Sequence, residues 1–553
     1  MTGSQLSARA RVTTIDNLET ANFDLLIIGG GITGAGIARE AALQGLEVAV
    51  IEAADFASGT SSRSSKLIHG GLRYLERGEI GLVRKTCLER KEIRKLAPHL
   101  ADSRWMVIPF RRRAALMSLR VAVTTYEKLG AVERQDIHRG WSGKKLKEME
   151  PALNPKRFRH ALAYREYLTD DARLVLANIR SAAAHGAQVL NHARVFRVLT
   201  TAGSADAVLV RCQHSAREFR VKSKVIVNAT GPWVEEVQRL EHSESRRFLH
   251  ISKGIHIALP AAKLPVNNLL VLRAADKRRI FAIRRGPVCY LGTTDTTHTS
   301  GAQHWPEIGR RDVENLLEPL ARYFDIDPVR PEDVVGAWAG LRPLIADPNT
   351  RNPSELSRRD ELLVGPSGML SVAGGKLTGY RGMARRVLAS VAERLGKPLA
   401  KLRNEPPLPG GDFDGDLQNL SDTIAREYAL SPNTARRLAQ LYGTEAAQVL
   451  ALGKTTLAPG SNAVTGEIAW AVRHEGAMTL EDVIYRRLRL PLYELNAERN
   501  LEPVARSMAN ALGWDAAKTC SQLAQVRSRM HKDLAFVTDE TSLPRETPKF
   551  RGP

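Results

Sequence analysis

The chain has 553 residues, 43% of them hydrophobic and 25% charged, which is enough for two or three globular domains with substantial cores. No apolar run approaches the roughly 18 residues that a membrane-spanning helix needs. The formal net charge of +21 fits three kinds of partner: nucleic acid, an anionic membrane surface or a phosphorylated substrate. No helix-turn-helix, RNP or zinc-finger pattern occurs, so no nucleic acid is expected. The alternative explanation of the charge is a solvated basic surface without a specific partner.

The first 21 residues are expected to be a flexible N-terminus. They contain no apolar stretch typical of a secretory signal, and the early Asp16 and Glu19 argue against a transit peptide. The cysteines are Cys87, Cys212, Cys289 and Cys520. They show neither a CxxC motif nor a metal-ligand spacing, so disulfides and a metal site are not expected, and a reducing cytoplasmic setting fits.

A glycine-rich loop follows the first predicted strand. An apolar run at residues 25–28 predicts a buried parallel strand, a helix follows, and a second predicted strand ends at Glu52. Gly29 allows a tight turn, Gly31 lets a pyrophosphate approach the backbone, and Gly34 lets the helix pack on the strand. Glu52 can bind ribose hydroxyls, which argues against NADP. The pattern predicts a dinucleotide site but does not distinguish FAD from NAD.

The next segment, residues 64–79, reads SSKLIHGGLRYLERGE and suits neither a helix nor a strand. Its adjacent glycines, Gly70 and Gly71, cost order in either element. They suit close backbone contact with a flat ring or a phosphate, with hydroxyl and cationic side chains beside them. A nicotinamide enzyme would usually continue directly into its next βα unit at this point.

Further motifs follow in chain order. They are VIVNATGPWV (225–234), KGIHIALP (from Lys253), DKRRIFAI (from Asp276), LGTTDT (291–296), AGLRPL (339–344) and SVAGGKLTGYR (ending at Arg381). With the segment above, they resemble the FAD-dependent (aerobic) glycerol-3-phosphate dehydrogenases, a branch of the glycine-oxidase-like flavoproteins. The resemblance runs from about residue 22 to the mid-530s.

The resemblance implies a mixed α/β and α+β fold with a discontinuous Rossmann-like FAD-binding domain, an antiparallel-sheet substrate domain and an all-α C-terminal domain. Apolar runs at residues 246–300 also predict an antiparallel sheet, placed over the flavin. The FAD-binding domain is expected to span 22–400, in three parts at about 22–80, 170–235 and 345–400. The substrate-binding portion is inserted between these parts, at about 81–169 and 236–344. A linker is expected at 404–416, a helical domain at 417–535 and a disordered tail at 536–553.

The C-terminal region shows two helix-start signals. Ser431 followed by Pro432 predicts one helix start, and the sequence TLED from Thr479 predicts another through a capping box.

Non-covalent FAD is the implied cofactor, since no flavin-linking His or Cys motif is apparent. The residues expected to hold FAD are Gly29, Gly31, Gly34, Glu52, Thr60, Ser61, Ser65, Lys66, His69, Gly70, Gly71, Leu72, Val195, Ala229, Gly231, Gly375, Lys376, Leu377 and Thr378. Lys376 is expected near the pyrimidine end of the ring, where a cation stabilises reduced anionic flavin. One departure from the pattern is Gly379, where close relatives usually have a second Thr.

The resemblance also implies a phosphate-binding group. A phosphate dianion needs at least two cationic donors, and guanidinium has the best shape for it. Arg342 is the first choice for the clamp, with Arg73 and Lys376 adding positive charge. Arg73 and Tyr74 are expected to face the substrate.

The candidate general base is His256, because imidazole titrates near neutral pH and can accept the proton of a substrate hydroxyl. The alternative is a hydrogen-bonded histidine within a strand. Asp276 could orient the base or a neighbouring cation, and its alternative role is a salt bridge within a turn.

The implied reaction is oxidation of sn-glycerol 3-phosphate to dihydroxyacetone phosphate, with hydride transfer to FAD and electrons passed to membrane quinone. Three alternatives stay open: oxygen as the acceptor, an amine or amino-acid substrate, or a basic flavoprotein that binds membrane or nucleic acid without turnover. The arginines of GLRY and GLRP favour a phosphate over an amine.

A quinone acceptor implies a cytoplasmic protein that lies peripherally on the inner face of the cell membrane; a homodimer is left open. Residues 110–130 are the best candidate for membrane insertion. Three arginines there precede Leu116, Leu119, Val123 and Tyr126, which recur at helical spacing. The alternative is that this stripe packs into the protein's own core.

Overall fold

The structure, a computed structural model, describes residues 6–70, 79–130, 132–242, 248–346, 360–400, 402 and 404–538. The strands are β1 (Asn22–Ile28), β2 (Val48–Ile51), β3 (Leu67–Ile68), β4 (Asp102–Phe110), β5 (Arg139–Ser142), β6 (His160–Leu168), β7 (Gln188–Leu190), β8 (Ala193–Thr201), β9 (Ser204–Cys212), β10 (Glu218–Asn228), β11 (Leu249–Pro260), β12 (Leu269–Arg273), β13 (Arg279–Arg285), β14 (Val288–Gly292), β15 (Thr296–Thr297), β16 (Gly336–Ile345), β17 (Asp360–Val364) and β18 (Leu370–Gly374).

The helices are α1 (Arg11–Thr20), α2 (Ile32–Leu43), α3 (Ile80–Leu96), α4 (Arg113–Leu129), α5 (Gly143–Met149), α6 (Asp171–Ala184), α7 (Val234–Glu241), α8 (Arg310–Leu317), α9 (Leu320–Tyr323), α10 (Tyr380–Leu395), α11 (Leu417–Tyr428), α12 (Pro432–Tyr442), α13 (Ala446–Ala451), α14 (Thr465–His474), α15 (Leu490–Tyr493), α16 (Leu501–Leu512) and α17 (Ala516–Asp533), with a π-helical turn at Asp482–Arg487 between α14 and α15. None of the described helices combines the length and the apolar character needed to cross a bilayer.

The first sheet carries the predicted strand–glycine loop–helix–strand unit. Strand β1 pairs in parallel with β2 on one side and with β10 on the other, and β2 pairs in parallel with β7. Strands β17 and β18 extend the edge beyond β10, and the β8–β9 hairpin attaches to β10. The run Phe23–Ile28 is buried throughout, as expected of a parallel strand covered on both faces.

The second sheet is mainly antiparallel. Strands β11 to β15 form it with β16, which pairs with β11 over ten residue positions. The antiparallel sheet predicted for residues 246–300 is therefore confirmed. Strands β4, β5 and β6 from the earlier part of the chain join the same sheet, because β12 pairs in parallel with β4.

Helices account for the C-terminal region. The side chain of Ser431 accepts a hydrogen bond from the amide of Thr434 at the start of α12. The Thr479 hydroxyl accepts from the Asp482 amide at 3.2 Å, and the Asp482 carboxylate accepts from the Thr479 amide at 2.9 Å. Both predicted helix starts are thus confirmed, and the two sheets with this helical region confirm the predicted fold class.

Both chain ends differ from expectation where they are described. The expected flexible N-terminus contains α1, which packs Ile15 and Leu18 against the first sheet. The expected disordered tail begins with a packed turn, in which Phe536 is buried in the core of the second sheet. Apolar side chains at these positions supply the burial that holds each segment in place.

Helix α4 corrects the prediction of a membrane-inserting stripe. Leu116, Val123 and Tyr126 are buried in a core cluster of the protein, and Leu119 packs partly buried against it. The stripe therefore faces the protein's own core. The exposed large apolar residues of α4 are Met117 and Val121.

Candidate active site

One large cavity joins the two sheets. It has a volume of about 1880 Å³ and is lined by the glycine loop after β1 as well as by residues of β11 and β16. Drug-sized ligands occupy pockets of roughly 300–1,000 Å³. The cavity therefore has room for a ligand as long as a dinucleotide together with a small substrate.

The glycine loop leaves space at one position and none at two others. Gly29 has φ +111°, and a Cβ there would lie 2.7 Å from the Ala229 carbonyl oxygen. A Cβ on Gly34 would lie 1.9 Å from the Gly29 carbonyl oxygen, so helix and strand are in direct contact. A Cβ on Gly31 would meet only the Ser61 hydroxyl, at 3.2 Å. The free space beside Gly31 belongs to the cavity.

Glu52 closes the loop from the end of β2. Its Oε2 accepts a hydrogen bond from the Gly30 amide at 2.6 Å, and Oε1 accepts from the Ala54 amide at 2.8 Å. Burial raises the pKa of this carboxyl, although the two amides act in the opposite direction. Each oxygen keeps a further lone pair, and the residue lines the cavity. Together with the open space at Gly31, this arrangement fits the ribose and diphosphate of FAD.

Lys66 lies beneath the cavity wall instead of facing the cofactor. Its side chain is fully buried, and Nζ donates to both carboxylate oxygens of Asp171 at 2.9 Å and to the Ser62 carbonyl at 2.7 Å. Burial and the nearby Arg489 lower the pKa of Lys66. Asp171 also accepts from the amide and hydroxyl of Ser64. The physical role of Lys66 is to hold the loop at residues 62–66.

Gly70 has a structural reason of its own to be glycine. A Cβ there would lie 2.4 Å from the Tyr126 hydroxyl oxygen and 2.6 Å from the Cys87 sulfur. Its amide donates to the Tyr126 hydroxyl at 2.9 Å. On its Cβ side, Gly70 is therefore packed against protein. The predicted residues Gly71, Leu72, Arg73 and Tyr74 lie outside the described residues.

His256 faces the cavity from β11. Its Nε2 is 2.9 Å from the Ser65 hydroxyl, and its ring stacks on Trp338 with 4.9 Å between centroids and 7° between planes. Burial, with Lys66 and Arg342 adding positive charge, holds the pKa of His256 well below its usual value. The imidazole is therefore neutral at pH 7. Within the described part of the chain, its buried Nδ1 has no hydrogen-bond partner.

Arg342 lines the same cavity from β16. Its guanidinium donates to the Thr293 hydroxyl at 2.7 Å and to the Asp295 carboxylate at 3.2 Å. A Cβ on Gly254 would lie 2.0 Å from Nη2 of Arg342, so the guanidinium lies directly over that glycine. Gly254 precedes His256 by two residues on β11. The Arg342 guanidinium and the His256 imidazole therefore lie on the same face of the sheet, roughly 7 Å apart along the strand.

The loop after β18 forms the wall next to His69. The Thr378 hydroxyl donates to the His69 carbonyl at 3.3 Å and accepts from the His69 amide at 3.2 Å. Lys376 and Leu377 line the cavity beside them. A Cβ at Gly379 would have no heavy atom within 4 Å. The fold therefore has space for a side chain where close relatives usually have Thr.

Asp276 sits in a turn at the cavity rim. Its carboxylate is paired with the Arg278 guanidinium and accepts from the Arg278 amide at 3.0 Å, which lowers the carboxyl pKa. This corresponds to the alternative role, a salt bridge within a turn.

Most predicted site residues line this single cavity. They are Gly29, Gly31, Glu52, Thr60, Ser61, Ser65, His69, Val195, Ala229, Gly231, His256, Asp276, Arg342, Gly375, Lys376, Leu377 and Thr378. Gly34, Lys66 and Gly70 are not among the lining residues. Sequence patterns did not identify Arg63, Trp338 and Asp295 as site residues. Arg63 and Asp295 line the cavity. Asp295 belongs to the LGTTDT motif, and this motif could have identified it as a site residue.

Two protein families match the chain. Residues 24–381 match the family described as FAD dependent oxidoreductase, and residues 404–519 match the C-terminal domain of alpha-glycerophosphate oxidase. The first match covers the two sheets up to the start of α10, and the second covers most of the helical C-terminal region.

Similar proteins extend over nearly the whole chain. An aerobic glycerol-3-phosphate dehydrogenase of Bacillus subtilis is 32% identical over 533 residues, which is 93% of this chain and 96% of that protein. One from Staphylococcus aureus is 34% identical over 85% of this chain and 87% of its own length. The solved structure of glycerol-3-phosphate dehydrogenase from Bacillus halodurans, complexed with FAD, aligns with a TM-score of 0.78 at 28% identity, covering 96% of this chain and 99% of that one.

Proposed function

The chain belongs to the FAD dependent oxidoreductase family, and from that premise we propose that it oxidises sn-glycerol 3-phosphate to dihydroxyacetone phosphate. The names of the relatives that match over nearly their full length support this substrate. The observation that carries the proposal is the placement of His256 and the Arg342 guanidinium on one face of the second sheet, within the cavity that holds the glycine loop.

The first part of the reaction is removal of the hydroxyl proton, which we assign to His256. The neutral imidazole can accept a proton at Nε2, which lies 2.9 Å from the hydroxyl of the cavity-lining Ser65, whereas Nδ1 is buried. Trp338 fixes the ring plane by stacking. Bound FAD would supply the acceptor for the hydride of the substrate carbon.

The second part is recognition of the phosphate, which we assign to Arg342 with Lys376 and Arg73. Thr293 and Asp295 orient the Arg342 guanidinium over Gly254, toward His256. A separation of two strand residues, roughly 7 Å, lets the two side chains contact the phosphate and the hydroxyl of one three-carbon substrate. A guanidinium in this position favours a phosphorylated alcohol over an amine substrate.

We further propose that electrons pass to membrane quinone and that the protein lies peripherally on the inner face of the cell membrane. The cavity extends to α4, where Ser118, Leu119 and Ala122 line it. On the outside of this helix, Met117 and Val121 are exposed. The exposed arginines at residues 111–113 lie at its start, and the net charge of +21 adds attraction to anionic lipid.

The test is a comparison of electron acceptors with the purified FAD-loaded protein. Given glycerol 3-phosphate, the protein should reduce a soluble quinone analogue faster than it consumes oxygen. Plain glycerol serves as the substrate control and should give little turnover. Faster oxygen consumption with hydrogen peroxide release would overturn the quinone assignment, and equal rates with glycerol would overturn the phosphate assignment.

A further inference from the structure

Arg63 is a buried cation in the cavity lining, and no described carboxylate lies within ion-pair distance of it. The residue is 7% exposed and lines the cavity. Its Nη1 is buried and, within the described part of the chain, has no hydrogen-bond partner. Burial lowers the pKa of Arg63 to about 10, so the guanidinium is charged at neutral pH.

The surroundings of Arg63 fix its position, but no described carboxylate forms an ion pair with it. The guanidinium carbon lies 3.7 Å from the centroid of the Trp305 ring, a cation–π contact. Asp533 and Glu481 attract the guanidinium electrostatically but pair with other groups. Asp533 accepts from the Tyr485 hydroxyl at 2.8 Å and pairs with Arg529. Glu481 pairs with Arg486 at 3.0 Å.

An unpaired buried charge is costly, and cavities that hold one usually receive the opposite charge from a ligand. Arg63 lies in the loop whose Thr60 and Ser61 also line the cavity. The Ser61 hydroxyl accepts a hydrogen bond from the Ile32 amide at 2.9 Å, at the first turn of α2. The N-terminus of a helix favours anions, and Arg63 follows Ser61 by two residues in the same loop.

We infer that Arg63 donates hydrogen bonds to a phosphate group of bound FAD. The diphosphate supplies the missing counter-charge, and the planar guanidinium suits phosphate oxygens. The cation–π contact with Trp305 holds the guanidinium in place. This role is independent of the electron acceptor and of the oxidised substrate.

The test measures FAD affinity and thermal stability of Arg63→Met, which keeps the volume of the side chain and removes its charge. FAD should bind on the order of 10- to 100-fold more weakly, since a hydrogen bond to a charged group contributes about 1.5–3 kcal/mol and 1.4 kcal/mol is tenfold. The melting temperature of the FAD-free variant should equal or exceed that of the FAD-free wild type, because an unpaired buried charge has been removed. The rise in melting temperature on adding FAD should be smaller in the variant.

The matched control is Arg217→Met, a surface arginine that pairs with Asp16 and Glu19 and is not among the residues lining the cavity. It should bind FAD as the wild type does. Wild-type affinity in Arg63→Met, or an equal loss in Arg217→Met, would overturn the inference. So would an equal fall in melting temperature with and without FAD, which is the result expected of a purely structural residue. If Arg63→Met does not fold, Arg63→Gln decides by the same affinity criterion.

Discussion

Two glycines of the second sheet make room for the side chains that we assign to the substrate. A Cβ on Gly292 would lie 1.9 Å from Cδ2 of His256, its partner across β11 and β14. A Cβ on Gly254 would lie 2.0 Å from Nη2 of Arg342. Even an alanine at either position would displace an assigned side chain. The small residues beside the active groups therefore set the geometry of the site as much as those groups do.

Arg342→Ala is expected to lower kcat/KM for glycerol 3-phosphate by roughly 10- to 100-fold while FAD content stays unchanged. The reason is the loss of hydrogen bonds between a guanidinium and a phosphate, at about 1.5–3 kcal/mol each. Steady-state kinetics with a flavin absorbance check would measure both quantities. Arg310→Ala, which removes a surface arginine paired with Glu332, is the control and should change neither. Unchanged kcat/KM in Arg342→Ala would show that the phosphate binds elsewhere.

His256→Gln is expected to slow reduction of the flavin by substrate and to remove an ionisation from the pH profile of that step. Burial places the pKa of His256 well below 6.5, so the wild-type rate should still be undiminished at pH 6.5. As the pH falls through the lowered pKa, the imidazole becomes protonated and the base is lost. Stopped-flow absorbance measures the rate. His185→Gln, at an exposed position, is the control. An unchanged rate and pH profile in His256→Gln would exclude this base.

At the scale of elements, local patterns were predictable and distant pairings were not. The loop with Gly29, Gly31 and Gly34 was predictable because its strand, turn and helix are consecutive in sequence. The contact between Ser65 and His256 joins residues 191 positions apart, and no local pattern specifies it. Lys66 was expected at the cofactor for the same reason: its partner Asp171 lies 105 residues later.

The glycine loop gives a prediction that separates cofactor binding from folding. Gly31→Val should yield a folded protein without bound flavin, because its side chain would enter the cavity where the diphosphate passes. Gly34→Val should fail to fold or melt much earlier, since its Cβ would overlap the Gly29 carbonyl. Absorbance of bound flavin and circular dichroism distinguish the two outcomes. Wild-type flavin content in Gly31→Val would refute the assignment of this loop.

Helix α4 and the arginines before it give a prediction about membrane contact. The wild type should float with anionic vesicles and be released by high salt, because surface attraction is about 1 kcal/mol per Lys or Arg and is screened by ions. Replacing Arg111, Arg112 and Arg113 together by Ser should reduce flotation strongly.

The control for flotation removes the same charge from another surface. Arg436, Arg473 and Arg506 are exposed on C-terminal helices, and their joint replacement by Ser should leave flotation nearly unchanged. Equal flotation of the two triple variants would place the membrane contact away from α4. Absence of flotation in the wild type would favour an enzyme that works away from the membrane.

At the scale of the whole molecule, buried ion pairs tie the C-terminal helical region to the cofactor-binding part. Asp55 accepts from Arg486 at 2.5 Å and also pairs with Arg487. Arg489 donates to Asp171, which also holds Lys66. We propose that the chain is divided into the predicted domains. The buried ion pairs nevertheless make the helical region part of the support of the active-site loop. Breaking one partner of a buried pair typically costs 3–5 kcal/mol.

Stability of the whole molecule should fall in mild acid through His99. This buried residue lies beside the proline- and glycine-rich segment, with its ring 6.4 Å from that of Phe413. Burial, aided by Arg173 and Arg180, lowers its pKa from the usual 6.5 to about 3. Above pH 6.5 the residue is neutral in both the folded and the unfolded state. Below it, the unfolded state takes up the proton first, and stability falls by about 1.4 kcal/mol per pH unit.

At pH 5 this penalty is about 2 kcal/mol. The difference between the melting temperatures at pH 7.5 and pH 5 should therefore be smaller in His99→Gln than in the wild type. His185→Gln should keep the wild-type difference. The same pH dependence in His99→Gln would mean that other groups cause the acid sensitivity.

The link between Asp55 and the C-terminal arginines has a consequence for synthesis of the protein. Asp55 and Arg486 are 431 residues apart in sequence. At 5–20 residues per second, the ribosome needs roughly 20–90 s to make the intervening chain. During that interval the cofactor loop exists in the nascent protein without the guanidinium groups that later neutralise its carboxylate. Lasting retention of FAD is therefore expected only after release of the complete chain, and ribosome-stalled fragments that end before the arginines should lose the flavin on washing.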